Sequence, residues 1–103
     1  MNISLIIFTS KIPDEVKKLI SVLEPEKLYI GKRHNEVENF CHWQKIPLAV
    51  LGTKKSLYCQ KCEELVNNAD YVIVCGNGLD QLFDYSVEYC KSKKKDFMVV
   101  WNE

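Results

Sequence analysis

Two stretches of this chain are apolar at nearly every position, residues 3–8, broken only by Ser4, and residues 71–75, while the segments between them carry apolar residues at helical spacing. A strand apolar at consecutive positions is covered on both faces, the condition of a parallel sheet between two layers of helices. The first strand, residues 4–8, leads to Val16, Leu19, Ile20 and Leu23 at i, i+3, i+4 and i+7, with Pro13, Asp14 and Glu15 placed as a helix start. Residues 27–30 form a short second strand closed by Gly31. Asn35 and Glu38, three apart, then predict a capping box for a helix that buries Val37, Phe40 and Cys41 and is broken by Pro47.

A third strand over residues 48–51 follows a proline, which fits a sheet edge or a strand start. Ser56 is the candidate cap of a third helix with Cys59, Cys62, Leu65, Val66 and Ala69 on one stripe. The fourth strand, from Tyr71, ends in Gly76-Asn77-Gly78 and opens a helix whose apolar face would hold Leu79, Leu82, Phe83, Ser86, Val87 and Cys90, with Asp80, Asp84, Glu88 and Lys91 opposite. Residues 97–101 are the fifth strand.

Strands alternating with helices through short connections predict an α/β fold, a three-layer Rossmann-like sandwich on a five-stranded parallel sheet. The first and fourth strands are the most uniformly apolar and belong at its centre, which gives the order 3-2-1-4-5. In that order the winding reverses between strands one and four, where open α/β sheets bind ligands. The crevice there is lined by Thr9, Ser10 and Lys11 on one side and by Gly76, Asn77 and Gly78 on the other. Gly31, Lys32, Arg33, His34 and Asn35 reach it from the second strand.

The 103 residues, 47% apolar, are enough for one core and predict a single domain over residues 1–103. Fourteen basic and fourteen acidic residues cancel, so no global basic field argues for nucleic acid. The one-signed cluster Lys91-Ser92-Lys93-Lys94-Lys95 ends a predicted helix and complements its dipole. The N-terminal apolar run lacks a preceding basic segment and is shorter than the core of an export signal, and no run approaches the roughly 20 residues that cross a bilayer. The expectation is a cytoplasmic chain without a membrane anchor, its five cysteines reduced.

Cys59-x-x-Cys62 has the spacing of half a zinc site or of a redox pair, but no second pair accompanies it, and both sulfurs fall on an apolar stripe. No metal and no cofactor are expected. Gly76-Asn77-Gly78 offers free amides at a helix N-terminus, the requirement for holding an anion, although any tight turn uses glycine too. Lys32 and Arg33 could neutralise a phosphate over the crevice, Arg33 by two parallel hydrogen bonds. His34 and His42 have no evident carboxylate or thiol partner and read as surface or half-buried imidazoles. Tyr85 and Tyr89, like Trp43 and Trp101, suit either an interface or the border of the core.

The order of these motifs resembles the SLOG superfamily, the Rossmann-like group of the DNA-processing protein Smf and the cytokinin-activating LOG enzymes. Gly31 and Asn35 fall at the family's first glycine turn, Lys45-Ile46-Pro47 at its step into strand three, and Ala69-Asp70 before strand four. Gly76-Asn77-Gly78 stands at its final glycine-rich turn, and the helix to Cys90 ends in a lysine-rich step into Phe97. Where the family has Gly-Thr cradling a phosphate, this chain has Leu82-Phe83, and Val37 stands where an acidic residue is usual, flanked by Glu36 and Glu38.

The resemblance implies a nucleotide or nucleotide-derived phosphorylated ligand held by Thr9, Ser10, Gly31, Lys32, Arg33, Asn35, Gly76, Asn77 and Gly78. A second reading is a non-catalytic interaction domain that kept the scaffold and uses exposed edge strands and aromatics for a homodimer or another protein. A third is a nucleotide N-glycoside hydrolase with Glu36 or Glu38 as its acid.

Overall fold

The structure, a computed structural model, describes residues 1–51 and 58–101, the side chains of Tyr58 and Cys59 excepted. Five strands alternate with four helices: β1 (Asn2–Ile7), α1 (Asp14–Leu23), β2 (Lys27–Ile30), α2 (Asn35–Gln44), β3 (Leu48–Val50), α3 (Tyr58–Asn68), β4 (Tyr71–Gly76), α4 (Gln81–Ser92) and β5 (Asp96–Trp101). All pairings are parallel, and the order is β3-β2-β1-β4-β5, the one the apolar pattern predicts. This is a Rossmann-like three-layer α/β sandwich. The expected Ser56 cap and the side chain of Cys59 lie outside the described residues.

The continuous apolar runs are explained by alternation within them. On β1, Ile3, Leu5 and Ile7 turn to a core shared with Val16, Ile20, Val37 and Cys41 of α1 and α2. Ile6 turns the other way, to Cys62, Leu65 and Val66 of α3 and to Phe83 and Cys90 of α4. β4 divides likewise, Ile73 and Cys75 toward the first core and Val72 and Val74 toward the second. Ser4, fully buried in β1, donates its hydroxyl to the Leu65 carbonyl at 2.5 Å. That carbonyl belongs to the last turn of α3, so the buried polar residue of the strand helps to close a helix end.

Two helix starts differ from the sequence expectation. His34, not Asn35, is the N-cap of α2, its ring accepting the Val37 amide. Asp80 is the N-cap of α4, Oδ1 taking the Leu82 amide at 2.9 Å, so Leu79 lies ahead of the helix and is 86% exposed instead of facing the core. The helix ends use left-handed residues where glycine is usual: Glu24 after α1 and Lys45 after α2 have positive φ, each followed closely by a proline. Among the described residues no helix is long and apolar enough to cross a membrane.

Candidate functional site

Beyond the carboxyl ends of β1 and β2, a cleft of about 640 Å³ opens between the β1–α1 loop, the β2–α2 loop and the start of α4. It sits at the point where the winding of the sheet reverses, as the strand order requires. Thr9, Ser10, Lys32, Arg33 and Asn35 line it together, five of the nine residues the sequence assigns to a ligand. Gly31 borders a smaller neighbouring cavity with Leu65, and a side chain at Gly31 would press on Leu65 at 3.3 Å. Gly76, Asn77 and Gly78 are not among the described residues that line the cleft. Their helix contributes Asp80 and Leu82 to the wall instead.

The loops are braced from within. Thr9 Oγ1 donates to the Lys11 carbonyl at 2.8 Å, turning the β1–α1 loop back on itself. The Ile12 amide then donates to Glu36 Oε2 at 3.2 Å, and Lys17 of α1 reaches Glu36 Oε1 at 2.9 Å. Glu36 therefore ties α1 and its loop to the first turn of α2. The Lys17 ammonium, helped by the Ile12 amide, holds its carboxyl below the usual carboxylate range, against an opposing effect of partial burial.

His34 joins the two loops. The Val37 amide donates to its Nδ1 at 3.4 Å, and its Nε2 lies 3.3 Å from the Thr9 carbonyl oxygen. A carbonyl only accepts and an amide only donates, so these partners together select the neutral tautomer with its proton on Nε2. Arg33, on the cleft's rim, commits its guanidinium to α2: its Nε and Nη2 both donate to Glu38 Oε1, at 3.0 and 2.9 Å, with the side chain 83% exposed. Lys32 has no ion-pair partner among the described residues, which leaves it the cation most available to a ligand.

Aromatic rings close the glycine turn. A Cβ on Gly76 would lie 2.8 Å from the Phe83 ring, and one on Gly78 would lie 2.7 Å from Trp101, with φ at Gly78 already +80°. Phe83 packs between Phe8 and Trp101, ring centroids 5.8 and 5.2 Å away. The glycines thus admit rings to the backbone, and Asn77 Oδ1 accepts the Leu79 amide at 3.0 Å to hold the turn. Phe8 carries this apolar cluster to the cleft wall.

The remaining candidates fall outside the cleft. Cys62 is buried and faces the Ser86 hydroxyl at 3.2 Å, and no group of three or more His, Cys, Asp or Glu suited to a metal occurs among the described residues. Tyr85 and Tyr89 stack at 6.2 Å and join α4 to α3, Tyr85 donating to Glu63 and Tyr89 accepting from Asn67. The sequence carries His34 to the cleft with its loop but gives it no role there, offers Glu36 only as a hydrolytic acid, and places Asp80 on the polar face of its helix. Their position beside the predicted turns was the available signal, but a capping histidine is uncommon and carboxylates in a first turn look like dipole partners. Comparison with protein-family models, with curated proteins and with solved structures finds no match, so function is argued from the cleft itself.

Proposed function

We propose that this chain binds a nucleotide or a nucleotide-derived phosphorylated small molecule in the cleft at the carboxyl edge of the sheet, as a divergent member of the SLOG superfamily. The observation that carries this reading is the meeting of Thr9, Ser10, Lys32, Arg33 and Asn35 around one cleft at the reversal of the winding. Lys32 and the Ser10 hydroxyl suit an anionic group. Phe8 and Leu82 supply an apolar wall for a base, and Asp80 and Glu36 present carboxylate oxygens that accept sugar hydroxyls. The anion sits toward Lys32, away from Asp80, because two like charges repel across so small a site.

Binding is better supported than hydrolysis. A glycosidic acid must carry a proton at neutral pH, whereas Lys17 holds Glu36 ionised and Arg33 occupies Glu38.

Thermal unfolding against a panel of mono-, di- and cyclic nucleotides, with each mixture assayed for released base, tests this. A ligand at about a hundred times its Kd adds roughly 2.7 kcal/mol of stability. A selective rise in Tm that Lys32→Ala and Ser10→Ala each diminish is expected. No rise with any member of the panel overturns the reading, and released base would replace binding with catalysis.

A further inference from the structure

We propose that β5 is the surface through which two copies of this chain associate, its free edge pairing antiparallel with the same strand of the second copy to join the two sheets. This inference is independent of what the cleft binds.

The two edges of the sheet are unlike. β3 has three residues and follows Pro47, features that blunt an edge against further pairing. β5 has six residues, Asp-Phe-Met-Val-Val-Trp, with no proline or glycine and one charge, at its start. A long apolar edge of this kind is a template for another strand.

Its side chains are self-complementary. Phe97 and Val99 pack on the α3–α4 side of the sheet, and Trp101 meets Phe83 there. Met98 and Val100 face the other side, in a groove with Leu19 and Val22 of α1. A two-fold axis perpendicular to the sheet preserves its faces, so opposed residues must share a face. The register centred on Val99 meets this condition: Phe97 lies opposite the partner's Trp101, and Met98 lies opposite the partner's Val100. Trp101 is 63% exposed and Met98 40% exposed in the single chain, so both gain cover. Cross-strand aromatic pairs are among the more stabilising of such contacts.

Charge supplies the second argument. Tyr85 and Tyr89 turn one flank of α4 toward α3, which leaves Asp84 and Lys91, seven residues apart, on the flank away from it. Both are exposed, with Glu88 beside Lys91 at 3.5 Å. Lys94, also exposed, adds to the basic end. The same two-fold axis runs α4 antiparallel to its copy. With strands about 4.8 Å apart, helices seated over β4 and β5 come within roughly 10 Å of each other, the distance of packed helices. Asp84 then faces Lys91 of the partner subunit, twice over.

Sedimentation velocity over a range of concentrations, with hydrogen exchange read at β5, tests this. The wild-type chain should form a species of twice its 12.0 kDa, and the amides of β5 should exchange more slowly in it. Met98→Lys and Asp84→Lys should each weaken association roughly tenfold or more. The double variant Asp84→Lys/Lys91→Asp should return it to within about threefold of wild type, since the swap restores opposite charges across the axis. These positions are exposed, and circular dichroism checks that each variant is folded. A folded chain that stays monomeric at every concentration overturns the proposal, as does a dimer whose affinity neither single substitution changes.

Discussion

His34 Nε2 lies 3.3 Å from the carbonyl oxygen of Thr9, and this contact joins the loop after β1 to the loop after β2 across the cleft wall. The same ring caps α2 through Nδ1, so one side chain sets both the entry of a helix and the spacing of two loops. Half-buried between them, it serves as a structural strut.

Replacing His34 separates these roles. His34→Ala removes the cap and the strut and should cost about 1–2 kcal/mol, the range of a lost cap. His34→Asn keeps a capping oxygen but is too short to reach Thr9, so its cost should be smaller. Urea unfolding of both variants checks the ranking. Equal losses would assign all of the effect to the bridge between loops and none to the cap.

The Glu36–Lys17 pair makes stability depend on acid pH. The folded carboxyl titrates below its unfolded value near 4.5, so between the two values the unfolded chain binds more protons and stability rises with pH. The contribution of Glu36 is present above about pH 4.5 and is lost as pH falls through the folded value. Glu36→Gln should therefore lower the urea midpoint at pH 7 and flatten the acid limb of the midpoint against pH. An acid limb unchanged by the substitution would show that other carboxylates set it.

The strand order was legible because burial on both faces is written directly into composition: residues 5–8 and 72–75 contain no polar side chain other than the Cys75 thiol. Half of the site was legible for a related reason, since the sheet order alone fixes which loops meet at the reversal. The start of α4 was not. Leu79 is in helical phase with Phe83 and Ser86, and only the local competition of Asp80 for the Leu82 amide moves the boundary past it. The use of Gly76 and Gly78 was hidden as well, because the rings that need them come from Phe83 and Trp101, and Trp101 lies on a different strand.

Burial protects the thiols. Cys41, Cys62, Cys75 and Cys90 are buried, and burial pushes Cys41 and Cys90 up to about 11. At pH 8 a thiol reagent should modify these four only as the chain unfolds, with rates that follow added urea. Raised values also set an alkaline sign: the unfolded thiols ionise first, near their ordinary value of 9.0, so stability falls as pH rises from there toward 11. Cys41→Ala/Cys90→Ala should show a shallower decline across that window, whatever it loses in packing at neutral pH. Rapid modification of all four in the native state would contradict their burial.

Gly78 and Trp101 should behave as one unit. Gly78→Ala places a Cβ 2.7 Å from the Trp101 ring and holds an L residue at a φ of +80°, two costs from one methyl group. The left-handed strain is about 1–2 kcal/mol and stays whatever the ring does. The clash adds to it only while Trp101 keeps its place. Trp101 is 63% exposed and the last described residue of β5, so it can swing away at the expense of its contact with Phe83. In a double-mutant cycle, Gly78→Ala should therefore cost less in a Trp101→Ala background than in the wild type, by roughly 0.5–1.5 kcal/mol. Strict additivity would mean that backbone strain alone fixes glycine at this position. The coupling would also appear in tryptophan fluorescence, since displacing Trp101 from Phe83 changes its surroundings while the more exposed Trp43 remains in solvent.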